Sequence, residues 1–192
     1  MEQAAEEFDH LEDYIDEADL DAYPRGMPEI PLDSDKGGWA TKITAKAAHP
    51  KSKWLENRTV ILKDNILFAG VRMTLGTNII KDYVPTIDAT VSTRVMDAGA
   101  TIVGKAACEN LSYAIASFSS ATGPVSNPYA DEYSTGGSSS GCGRLIGKGV
   151  VDMGIGGDQG GSIRAPSAWC GIVGLKPTFG LVPYTGIVSL EV

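Results

Sequence analysis

The sequence predicts an α/β fold with at least partly parallel strand pairing. Three observations carry this expectation. Apolar, β-branched runs such as TVIL (59–62) and ATIV (100–103) alternate with stretches of helical spacing. Glycine and serine cluster between those elements, as they do at strand–helix turns. The 192 residues, 43% hydrophobic and 21% charged, suffice for one domain with a core.

The elements follow in order. Residues 5–22 predict an amphipathic helix, with Phe8, Leu11, Ile15 and Ala18 on one stripe, stopped by Pro24. Residues 24–57 are weakly periodic and are expected to be loop with one helical turn. Thr59 to Leu62 form a buried strand ending in the polar pair Lys63 and Asp64. Asp88 is the expected N-cap of a helix carrying Val91, Val95 and Ala98 on one face, with Gly99 at its C-terminal end. A buried strand, Ala100 to Val103, comes next. After Ser138 a glycine-weakened helix runs to Gly149, and a strand spans Val150 to Ile155. The organisation is therefore an N-terminal helical and loop segment, 1–54, followed by the α/β body, 55–192.

Charge narrows the function classes. The formal net charge is -8, but residues 1–23 hold ten acids and no Lys or Arg. The remaining fourteen acids and sixteen bases nearly balance. No basic stripe points to nucleic acid as a partner. No apolar run reaches membrane-spanning length, and MEQAAEEFDH lacks the basic and apolar regions of a signal peptide. Three cysteines, Cys108, Cys142 and Cys170, imply no complete disulfide framework, and two histidines imply no metal cluster. These features predict a soluble protein of a reducing, cytoplasmic compartment without a metal cluster.

The stretch from Gly136 to Arg164 holds two glycine–serine clusters, GGSSSG and GGDQGGSIR. Three familiar motifs fail on them. GCGRLIGKG leaves only three residues between Gly143 and Gly147 and puts Gly149 where a P-loop needs Ser or Thr. GIGGDQG places its last glycine one position late for a dinucleotide fingerprint. Gly137 to Gly141 matches G-x-S-x-G, yet no strand precedes it and no His follows residue 49. A serine nucleophile here needs another base. Lysine serves only when neutral, so its pKa must fall through burial or nearby positive charge. Lys63 closes an apolar strand; Arg164 is a candidate for the like charge, or an ion-pair anchor for its own loop. The GGDQGGS glycines allow the N–H groups of Gln159, Gly160, Gly161 and Ser162 to converge as an oxyanion hole. A second serine, Ser138, can relay a proton between lysine and Ser162.

GGSSSG, GIGGDQGGSIRAPSAWCGIVGLKPTFGLVPYTG and VILKDNILFAG together resemble the amidase signature family. The resemblance implies a mixed β-sheet flanked by helices and a Ser–cis-Ser–Lys triad. It assigns Lys63 as base, Ser138 as bridging serine behind a cis Gly137–Ser138 bond, and Ser162 as nucleophile. Ser139, Asp158 and Arg164 fall on supporting hydrogen-bond positions. It implies hydrolysis of a small-molecule carboxamide through an acyl-enzyme, with no cofactor or metal, and leaves a homodimer open. Cys142 and Cys170 are expected to be packing residues. Two departures accompany the match. Arg144 and Lys148 stand in a helix that is usually made of small residues, and the resemblance covers about 55–192, the N-terminal half of such a domain, so the fold is expected to be truncated. The alternatives are the glutamine-handling subunit of a tRNA amidotransferase and an inactive fragment.

Overall fold

The computed structural model describes residues 17–32 and 34–188. Most of the acidic helix expected at 5–22 lies outside them. Its described end, 17–22, forms turns and coil instead of helix.

Four strands make one mixed sheet in the order β1-β3-β2-β4. They are β1 (Trp39–Ala45), β2 (Thr59–Lys63), β3 (Thr101–Ala106) and β4 (Met153–Ile155). β2 runs parallel to both β3 and β4, whereas β1 is antiparallel to β3. The helices are α1 (Thr90–Asp97), α2 (Ser140–Gly147) and α3 (Arg164–Trp169). The mixed sheet with helices agrees with the α/β expectation.

Strand β1 corrects the expectation of loop across 24–57. WATKITA alternates in burial, with Trp39, Thr41, Ile43 and Ala45 turned inward. That is the period-2 pattern of a half-buried strand. Its register places Trp39 opposite Ala106, so residues before 55 belong to the same sheet as those after it.

The Asp88 cap also differs from expectation. Ala89 is the N-cap of α1 and makes no side-chain capping bond. The Asp88 carboxylate instead accepts from Arg25 Nη1 and Nη2, at 2.9 and 2.8 Å, and from the Ala69 N–H at 2.8 Å. A nearly buried guanidinium offers a charged, bidentate donor set, which outcompetes a neutral helix-end N–H. At the other end Gly99 takes the left-handed conformation, φ 96°, that stops a helix without a Cβ clash.

The core lies in two parts. One gathers Ile43, Leu62, Ile66, Phe68, Met96 and Ile102. The other gathers Trp39, Ile61, Ala106, Cys142, Leu145 and Val151. Consecutive residues Ile61 and Leu62 feed opposite parts, as the alternation of a strand covered on both faces requires. Beyond β2 and β3, the chain turns into the loops that carry the polar residues described next.

Candidate active site

Lys63 is the last residue of β2, a central strand flanked by β3 and β4. Its side chain is wholly buried. Nζ donates a hydrogen bond to Ser138 Oγ at 2.7 Å. Burial pulls the amine below its ordinary pKa, against the opposing influence of the Cys108 and Cys142 thiols and the Asp158 and Glu109 carboxylates. Of the two readings of Arg164, the structure supports the ion-pair anchor and not the like charge. Arg164 is 56% exposed and pairs with Asp158 at 3.0 Å, so desolvation and not like charge depresses Lys63.

Ser138 follows a cis peptide bond from Gly137. The turn needs a glycine at 137: a Cβ there would sit 2.8 Å from the Ala114 carbonyl oxygen and 2.9 Å from Glu109 Cγ. Gly137 N–H donates to the Ile115 carbonyl at 2.7 Å, and the Ser138 carbonyl accepts from Glu109 N–H at 3.1 Å. Ser139 N–H donates to the Ser162 carbonyl at 3.3 Å, which joins the two glycine–serine clusters through the main chain. Ser139 Oγ reaches the Gly157 carbonyl at 3.5 Å.

The second cluster is organised by one carboxylate. Asp158 accepts from the N–H groups of Gly161 (2.7 Å), Ile163 and Arg164 (both 3.1 Å), and from Arg164 Nε and Nη2 (both 3.0 Å). Burial pushes its pKa up, but the Arg164 guanidinium and the three N–H groups outweigh this and hold it well below the usual carboxylate range. The N–H groups expected to form an oxyanion hole differ in how they are bonded. The Gly161 N–H is already committed to Asp158. Among the described residues, those of Gly160 and Ser162 donate no hydrogen bond. Gln159 precedes them in the same turn. Ser162 is half-buried, and no hydrogen bond joins its hydroxyl to that of Ser138.

Other groups were not evident in the sequence. Glu109 is fully buried and accepts from Ser140 Oγ, Ser117 Oγ and the 118–119 main chain. The one available signal was an acid three residues beyond the apolar end of β3, in TIVGKAACE. Lys105 and Asp64 form a second buried charge pair at 3.2 Å beside the site. Asp64 Oδ2 accepts from Thr74 N–H and Oγ1 and from Leu75 N–H. Arg144, one of the departures from the small residues usual in this helix, is buried. It bonds Asp35 at 2.8 to 3.3 Å and the carbonyls of Ser126 and Asn127 at 2.9 and 3.0 Å, so it anchors α2.

The thiols are packing groups. Burial pushes Cys108 and Cys142 up to about 12, and Cys170 up to about 11. Thiols with such values are almost entirely protonated at neutral pH and are poor nucleophiles. A cavity of about 270 Å³ runs along β4 and α3, lined by Ser139, Cys142, Ile146, Ile163, Pro166 and Val173 among others. Neither Lys63 nor Ser138 nor Ser162 lines it. Among the described residues, no cluster of three His, Cys, Asp or Glu could hold a metal ion, and no helix is long and apolar enough to cross a membrane.

Comparison with known proteins gives a consistent result. The family model described as Amidase matches residues 34–192. The enantioselective amidase of Rhodococcus rhodochrous is 46% identical, with 85% of this chain and 33% of its own length covered. A subunit of the glutamyl-tRNA(Gln) amidotransferase of Natronomonas pharaonis is 47% identical over 70% of this chain and 32% of its own length. The peptide amidase of Stenotrophomonas maltophilia superposes with a TM-score of 0.68 at 34% identity, over 73% of this chain and 29% of the other. The chain thus spans about a third of the length of the curated relatives it matches.

Proposed function

Because the chain belongs to the amidase family, we propose that it carries the catalytic serines and lysine of an enzyme that hydrolyses a carboxamide C–N bond. The observation that carries this reading is the buried 2.7 Å hydrogen bond from Lys63 to Ser138, in a turn tied to Ser162 by a main-chain bond. Ser162 Oγ attacks the carbonyl carbon. Its proton passes to Ser138 Oγ, while the Ser138 proton moves to neutral Lys63. The oxyanion is met by the N–H groups of Ser162 and Gly160, with Gln159 beside them. Gly161 joins only if its bond to Asp158 opens. The proton on Lys63 returns through Ser138 to the leaving nitrogen as the C–N bond breaks, releasing ammonia or an amine. Water then adds to the acyl-enzyme, giving the acid and restoring Ser162. No step calls on a metal or cofactor.

Asp158 and Arg164 hold the Ser162 turn, and Ser139 and Gly137 shape the bridging turn. The substrate is a small amide, and the setting is cytoplasmic, in keeping with three buried, unbridged thiols. Intact-protein mass spectrometry after a fluorophosphonate tests the reading. One adduct is expected, absent from Ser162→Ala. A folded parent chain that takes up no adduct overturns it.

A second reading is the glutamine-handling role within a tRNA amidotransferase, favoured by the 47% identity to one of that enzyme's subunits. Ammonia release from glutamine but not from simple aliphatic and aromatic carboxamides would select it. The reverse would select a stand-alone amidase.

A further inference from the structure

The proton path proposed above depends on the Ser138 hydroxyl staying on Lys63. Two segments fix the turn that carries it: α2 on one side and residues 110–120, which follow β3, on the other. Glu109 stands where they meet. Its N–H donates to the Ser138 carbonyl at 3.1 Å. Its carboxylate acts only as an acceptor. Oε1 receives Ser140 Oγ at 3.0 Å and Ser117 Oγ at 2.8 Å. Oε2 receives Phe118 N–H at 3.0 Å, Ser119 N–H at 2.7 Å and Ser119 Oγ at 2.9 Å. The side chain is fully buried, and among the described residues it has no ion-pair partner. An anionic group without a cation can persist in such a place when several donors converge on it.

The surroundings leave little play. A Cβ on Gly137 would meet Glu109 Cγ at 2.9 Å, so the acid's stem packs against the cis bond itself. Residue 115, within the clamped segment, reaches both clusters. Its carbonyl accepts from Gly137 N–H at 2.7 Å, and its side chain lies over Gly161 beside Ser162. The Glu109 carboxylate therefore ties the start of α2 to the segment over the nucleophile turn, while its main-chain N–H holds the carbonyl of the bridging serine between them.

We propose that Glu109 is the positioning residue of this site, binding Ser140 and residues 117–119 together so that Ser138 is held against Lys63. The assignment rests on the amidase reading of Lys63, Ser138 and Ser162. It separates Glu109 from Asp158, whose bonds hold only the Ser162 turn. The Glu109 carboxylate also faces Lys63, as does that of Asp158, with the protonated thiols of Cys108 and Cys142 beside them. The Lys105–Asp64 pair stands near Cys108. A neutral residue at 109 thus has two consequences. The plateau of the serine reaction falls, because the hydroxyl is no longer fixed. The pH midpoint also moves lower, because one carboxylate that favours the lysine ammonium is gone.

The test measures the rate of fluorophosphonate labelling between pH 5 and 10 for the parent chain, Glu109→Gln, Ser140→Ala and Ser162→Ala, with circular dichroism on each. Glu109→Gln is expected to lower the plateau rate about tenfold or more and to shift the midpoint down. Ser140→Ala should lower the plateau several-fold with the midpoint unmoved, since no charge is lost. A folded Glu109→Gln chain with parental plateau and midpoint overturns the assignment alone. If Glu109→Gln does not fold, Ser140→Ala decides, and a parental rate there overturns the assignment. A parent chain that is folded and never labelled at Ser162 overturns the amidase reading and this assignment with it.

Discussion

The two glycine–serine clusters are held in opposite ways. The Ser138 turn is buried throughout, with Ser138, Ser139 and Ser140 at 2% exposure or less. It is pinned from several directions, by Lys63, Glu109 and the Ile115 carbonyl. The Ser162 turn lies nearer solvent and is organised by a single carboxylate that reaches three main-chain N–H groups and an exposed arginine. The contrast teaches where each requirement sits. On the proposed reading the base end is the dry one, because here it is desolvation that lowers the lysine towards a proton acceptor. The nucleophile end must stay open to a substrate, so its order comes from local bonds and not from burial.

The largest expected effect tests the dry end. Lys63→Met should slow labelling of Ser162 by about 10²–10⁴-fold, the usual worth of a general base. The same variant should unfold at a higher temperature at pH 7. The folded-state pKa of Lys63 is lowered, so folding disfavours its charged form and carries a penalty. That penalty is absent above the unfolded pKa, grows as pH falls towards the folded pKa and is constant below it. A neutral methionine removes it. Thermal unfolding scanned across pH checks the sign, and a lower melting temperature at pH 7 would contradict a desolvated lysine.

Next comes the open end. Asp158→Ala strands three main-chain N–H groups and should cost about 3 kcal/mol in stability, measured by denaturant unfolding. Its pH signature is opposite in sign to that of Lys63. The Asp158 pKa is depressed, so its stabilisation is complete above the ordinary carboxylate range and is lost as pH falls through the lower folded value. The parent chain should therefore lose stability in acid more steeply than Asp158→Asn.

A smaller effect is expected from Arg164→Gln. The guanidinium is largely exposed, and solvent screens its charge. The main-chain donors remain, so labelling should slow no more than a few-fold, and by less at high salt. A stability loss in denaturant as large as that of Asp158→Ala would mean that the arginine, and not the N–H groups, orders the turn. Smallest of all is Cys142→Ala, expected to leave the labelling rate within about twofold, since a buried protonated thiol takes no part in the transfer. A large loss there would break the distinction between packing thiols and reacting serines.

Much of the fold was legible because it is local. The apolar run before Lys63, the helix around Val91 and Val95, and Gly99 at its end all follow from periodicity and turn chemistry over a few residues. β1 was equally legible in WATKITA, but its alternation runs through Ala and Thr, and the Pro- and Lys-containing surroundings masked it. The part of the site that matched a family pattern, Lys63, Ser138 and Ser162, was legible only through that resemblance. Residues with no motif of their own went unnoticed. Nothing near Glu109 marks it as a clamp, because its partners lie 8 to 31 positions away.

By itself, then, the sequence determined most of the short segments that become strands, helices and glycine turns, and the family to which they belong. Only the tertiary structure decided what each charge does. Asp88 left its helix for Arg25, Arg164 went to Asp158 and not to Lys63, and the Gly161 N–H was taken by the same aspartate. The physical reason is that propensity and hydrophobic period act between neighbours along the chain. The partner of a buried charge is set by which distant segments the sheet brings within hydrogen-bonding reach, and by how little water is left there.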